Sequence, residues 1–66
     1  MTTCIELLSV VALTEDLPAC GLWRSQVGTI VEVLAPDVYE VEFSDNEGRA
    51  YATADLKANQ LMVLHY

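Results

Sequence analysis

Glu32, Glu40 and Glu42 are the side chains whose type and spacing come nearest to an arrangement that could do chemistry. Neighbouring carboxylates can act as general acid and general base, as in glycoside hydrolysis, when a pocket raises one pKa and a cleft admits the substrate. These three lie in segments that read as strands, and an open strand face supplies neither pocket nor cleft. Cys4 and Cys20 stand sixteen positions apart with no Cys or His at metal-ligand spacing, so there is no zinc pattern. Two idle thiols are expected; a disulfide tying the N-terminus to the first loop is the alternative, although nothing indicates an oxidising compartment. His65, the single histidine, has no neighbouring Cys, Ser or second His to build a triad and stands beside the terminal Tyr66. No catalytic residue, metal or cofactor is expected, and the chain reads as a non-enzyme.

The elements that must position these residues are short strands. Leu7–Leu13 is β-branched and apolar and is halted by a polar stretch containing Pro18 and Gly21, which marks a first strand followed by a long loop over Thr14–Gln26. Val27–Leu34 and Val38–Phe43 read as a hairpin around Ala35-Pro36-Asp37. If Leu34 faces Val38, then Val33 faces Tyr39, Val31 faces Val41 and Thr29 faces Phe43, which gathers the large apolar residues on one side. The same register sets Glu32 directly opposite Glu40, with Glu42 next along that outer face. Turn formers at 44–48 lead into a fourth strand, Arg49–Ala54, whose alternation leaves open which face carries the alanines. Asp55–Gln60 suits a 3₁₀ turn capped by Asp55, and Leu61–Leu64 a fifth strand. One domain over 1–66 follows, an all-β SH3-like five-stranded barrel with a 3₁₀ turn before the last strand. Closing the sheet would also remove edges that invite aggregation.

Ten acidic residues against three basic ones give a net charge of −7. Such a chain repels phosphate backbones, so nucleic acid is not an expected partner, whereas a basic protein surface would be drawn to it over long range. The Gly28-Thr29-Ile30-Val31 run also looks like the opening of a ribosomal KOW-type element, but RNA contact would need a basic stripe, and only Arg24, Arg49 and Lys57 are available. Ile5–Leu13 carries Glu6 and Ser9, follows no basic residue and is far shorter than the roughly 20 residues of a membrane span, so neither a signal peptide nor a membrane segment is expected, and a cytoplasmic location is the default. A hydrophobic content of 53% in 66 residues means either a well-filled core or apolar surface kept for another chain, which leaves a homodimer open.

The segments Asp16-Leu17-Pro18-x-x-Gly21-Leu22, Val27–Val33, Tyr39–Phe43 with Asp45, and Gly48–Tyr51 together resemble a group of small uncharacterised bacterial proteins, common in cyanobacteria, known as a domain of unknown function. The resemblance spans about Val10 to Leu64. It implies a compact SH3-like fold in a stand-alone bacterial protein, no catalytic residues, and a small partner subunit encoded beside a larger toxin-like or enzyme-like gene. The group usually carries Gly where this chain has Ser25 and a polar residue where it has Trp23.

Two surfaces are therefore candidate protein-binding sites. One is the Glu32, Glu40 and Glu42 face, whose cross-strand repulsion a basic partner would relieve; its bland reading is a solvated face that aids solubility. The other is Trp23 with Arg24 on the long loop, residue types enriched in binding hot spots, unless Trp23 folds back over the core. Tyr51 with Tyr39 could line a proline-reading groove, but core packing is favoured for them. The expected function is a non-enzymatic acidic interaction module docking on a larger, basic protein, with an antitoxin- or immunity-like role as its specific form. An accessory subunit of a redox or photosynthetic complex is the alternative.

Overall fold

A computed structural model of the chain describes residues 5–45 and 47–64. Its β-branched and apolar runs form five strands: β1 Val10–Leu13, β2 Val27–Ala35, β3 Val38–Ser44, β4 Ala50–Lys57 and β5 Leu61–Val63. Two short 3₁₀ turns, η1 over Pro18–Cys20 and η2 over Ala58–Gln60, complete the regular structure, and there is no α-helix among the described residues. All strand pairings are antiparallel, in the order β4-β3-β2-β1-β5. The layout is the SH3-like one, with a long first loop and a 3₁₀ turn before the last strand. β4 and β5 share no ladder, so the sheet is not closed and the barrel is approximate.

Two strand limits differ from the sequence expectation by more than one residue. β1 begins at Val10 because Leu7 and Leu8 form a turn, in which Leu8 takes φ 68 and the Ser9 hydroxyl accepts a hydrogen bond from Glu6 N at 3.1 Å. This local side-chain bond competes with extension of the strand. β4 runs on through Asp55 to Lys57, since continued pairing with β3 seats Leu56 against the buried Tyr39. Asp55 is consequently a strand residue and not the cap of η2. Lys57 holds the cap position, and its N–H donates to Gln60 Oε1 at 2.9 Å.

The hairpin register keeps Glu32 opposite Glu40 and Val33 opposite Tyr39, but the other expected pairs are displaced. Ile30 faces Val41, Gly28 faces Phe43 and Ala35 faces Val38, with irregularities between Ile30 and Glu32 and between Val33 and Ala35. The first extra residue, Val31, shifts the alternation of β2 so that Ile30 is fully buried where regular pairing would have turned Thr29 and Val31 inward. Gly28 makes the resulting close approach possible. A Cβ there would lie 2.7 Å from Val41 Cγ1, 2.9 Å from the Glu42 carbonyl oxygen and 3.0 Å from Phe43 Cδ1.

The core gathers Val11 and Leu13 from β1, Ile30 from β2, Tyr39, Val41 and Phe43 from β3, Leu56 from β4 and Leu61 from β5. Leu22 enters it from the first loop. That loop is folded by reciprocal bonds between Leu17 and Leu22, by η1, and by Gly21 at φ 69. It ends in Ser25, whose N–H donates to Leu13 O and whose φ is 77, a region glycine enters without a Cβ penalty. Ala52 and Ala54 pack against the core, so the inner face of β4 is the one that carries the alanines.

Gly28→Ala is expected to destabilise the domain by about 1–3 kcal/mol, measured by urea unfolding, because backbone and core atoms must move apart to admit the methyl. Ser25→Gly is expected to do the opposite. Relief of a left-handed non-glycine residue, roughly 1–2 kcal/mol, exceeds the added chain entropy of roughly 0.5–1 kcal/mol, so the unfolding midpoint rises.

Candidate functional site

The pairing of three strands builds a row of carboxylates. Glu32 on β2 faces Glu40 on β3, and Glu40 faces Asp55 on β4. One row along, Glu42 stands between Thr29 and Thr53. Inward-facing Tyr39, Val41 and Phe43 alternate with these residues along β3, so the row lies on the outer face of the sheet. Glu40 and Glu42 are half-buried by their neighbours, while Glu32 and Asp55 are exposed.

The phase of the ladder tightens part of this row. Ala58 N donates to Asp37 O at 3.0 Å, which continues the β3–β4 register by one pair and makes that pair a hydrogen-bonded one. Pairs alternate in an antiparallel ladder, so Glu40–Asp55 and Glu42–Thr53 are the non-hydrogen-bonded kind, whose Cα atoms approach to about 4.5 Å with side chains closer. Like charges so placed oppose one another. No cation neutralises them: among the described residues the ion pairs are those of Arg49 with Asp45 and with Glu47, in the turn before β4. Nor do the described residues contain a His, Cys, Asp and Glu group able to hold a metal ion. The carboxylates stand on an open face, as expected.

Trp23 and Arg24 lie apart from this row, at the end of the first loop. Leu22, not Trp23, plugs the core, and Trp23 is 53% exposed. The Trp23 main-chain N–H donates to Gln26 Oε1, and the Arg24 main-chain N–H donates to Asp16 Oδ1 at 2.9 Å, which fixes the backbone of the loop end. Gln26 Nε2 in turn donates to the Tyr51 hydroxyl at 2.6 Å and so joins the loop to β4. Tyr39 is in the core, its hydroxyl donating to Pro36 O at 3.3 Å, but Tyr51 is half exposed, which corrects the expectation of core packing for both. The cause is its place in β4: Ala52, Ala54 and Leu56 face the core, so alternation puts Tyr51 on the outer side with Thr53 and Asp55.

The family pattern described as Domain of unknown function (DUF4926) matches residues 7–63, which takes in all five strands and the loops between them. The chain belongs to this DUF4926 family. No curated protein and no solved structure matches it. The DUF4926 match begins and ends close to the span expected from the sequence segments. Neither the family description nor the small all-β fold gives a sign of catalysis.

Asp55 was missed by sequence reasoning, and so were Gln26 and Tyr51 as a linked pair. The first had a legible signal. Alternation continues unbroken from Ala52, Ala54 and Leu56 on one side to Thr53, Asp55 and Lys57 on the other, which is strand behaviour. The Gln26–Tyr51 bond joins residues 25 positions apart and has no local signal. Cys20 is exposed at the end of η1; Cys4, His65 and Tyr66 lie outside the described residues.

Glu40→Gln, at the centre of the row, is expected to stabilise the fold by something on the order of a few tenths of a kcal/mol in low salt. Thermal melts repeated in about 1 M salt, where the screening length falls to about 3 Å, should show the gain disappear.

Proposed function

We propose that this DUF4926 chain is a small protein-interaction module whose acidic outer face, Glu32, Glu40 and Glu42 with Asp55, docks on a basic surface of a larger protein. The observation that carries the reading is the unneutralised carboxylate row: it is a net repulsion in the free chain that Lys or Arg side chains from a partner would turn into attraction. A net charge of −7 supports it through steering of a basic partner. The exposed Trp23, with Arg24 beside it, offers a hot-spot pair on a separate surface, held in place by Gln26 and Asp16. A one-to-one pairing of the antitoxin or immunity kind is the specific form this module would take.

Affinity capture from the native host with the intact chain, and with Glu32→Gln/Glu40→Gln/Glu42→Gln, tests this. The expected result is a basic protein retained at low salt, weakened at physiological salt and lost with the triple variant. Capture that the triple variant leaves unchanged would remove the acidic face from the reading, and a Trp23→Ala arm tells whether the loop carries the binding instead.

A further inference from the structure

β4 is an edge strand of eight residues, paired along one side with β3 and along the other with nothing among the described residues. The ladder phase decides which of its main-chain groups face outward. With Ala58 donating to Asp37, the alternation turns Ala52, Ala54 and Leu56 toward β3, and turns the N–H and C=O of Thr53 and Asp55 to the open side. Lys57 has the same outward phase, and its N–H is taken by Gln60 Oε1, which ends the free edge. Thr53 and Asp55 are exposed, and their outward donors and acceptors have no partner among the described residues.

Proteins usually blunt such an edge with a proline, a bulge or an inward-pointing charge. β4 has none of these from Ala52 to Leu56; the one edge charge there is the outward carboxylate of Asp55, which opposes an acidic strand and not a basic one. Its inward side chains there are two alanines and a leucine, and its ladder is regular from Lys57 to Ala52. The opposite edge, β5, is three residues long. The open edge is also where the carboxylate row ends, because Asp55 is its last member. A strand added at β4 would place its own outer side chains next to Asp55 and in reach of Glu40.

We infer that the basic partner engages this domain by strand addition: an extended segment with Lys or Arg at alternate positions pairs with the free edge of β4, its main chain meeting Thr53 and Asp55 and its cations extending the Glu32–Glu40–Asp55 row. This rests on the proposed acidic docking face and adds the mode of binding. Main-chain pairing supplies affinity in such complexes and alternate side chains the selectivity. A second copy of this chain is a poorer occupant. Edge-to-edge pairing about a two-fold axis would bring two carboxylate rows onto one face of a continuous sheet, and each copy carries a charge of −7.

The probe is a blocked peptide of about eight residues alternating Lys and Val, the length of β4. Binding is followed by calorimetry, and amide hydrogen exchange is read at Thr53 and Asp55. The expected result is salt-sensitive binding with exchange slowed about tenfold or more at those two amides. Thr53→Pro removes an outward N–H that β3 does not use, so the ladder survives, while binding falls about fivefold or more through loss of one main-chain bond. The exchange measurement on the unaltered chain stands by itself if that variant unfolds. Binding that leaves the Thr53 and Asp55 amides unprotected overturns strand addition and leaves the acidic face as the docking site. Absence of binding even at low salt overturns both. Protection of the two amides that grows with protein concentration in the absence of peptide overturns the basic partner in favour of a second copy.

Discussion

Gly28 and the bulge at Val31 set the distance and register between β2 and β3, the hairpin that links the two sides of the sheet. The absence of a Cβ at Gly28 lets β2 settle onto Val41 and Phe43. The extra residue at Val31 then returns the alternation to a phase that keeps Glu32 opposite Glu40. Without that approach Ile30 would not occupy the centre of the core, and the sheet would present a different outer face. In a chain of 66 residues, which buries only about 60% of its unfolded surface, there is little other apolar area to compensate.

The carboxylate row follows from the same constraint. Three strands brought into register by their buried residues must bring their outer residues into register too, whatever charges those carry. Tyr39, Val41 and Phe43 on the inner side determine the pairing, and Glu40 and Glu42 are carried along on the other. Burial of the inner set is worth roughly 1.5–3 kcal/mol per large side chain, against a few tenths to about 1 kcal/mol for each opposed charge pair, so the fold tolerates the repulsion. Of the two opposed acidic pairs, Glu40–Asp55 is the non-hydrogen-bonded one and lies beside the open edge of β4.

The first loop illustrates a different balance. Its adjacent residues Leu22 and Trp23 go to opposite environments, the smaller into the core and the larger to the surface. Leu17 and Leu22 close a small ring of main-chain bonds that points Leu22 inward, and a following residue must then point away. The left-handed Ser25 completes the turn back into β2. Gln26 converts this loop end into a fixed surface by holding Trp23 with one end of its amide and Tyr51 with the other.

Sequence alone determined the fold class, the five strands to within a few residues, the long first loop, the 3₁₀ turn before the last strand and the Glu32–Glu40 opposition, because each follows from local alternation, turn chemistry and the need to keep charge out of the core. It also carried the resemblance to an uncharacterised family of unknown function, which the match over residues 7–63 supports. Tertiary structure decided the rest. The bulges in β2, the inclusion of Asp55 in the row, the exposure of Tyr51 and the open edge of β4 depend on which neighbour a strand meets and at what distance. A bulge costs nothing in local pattern and is chosen only when burial of Ile30 over Val41 is weighed against regular pairing. Likewise Asp55 is as good a cap as a strand residue until Leu56 finds Tyr39 across the sheet.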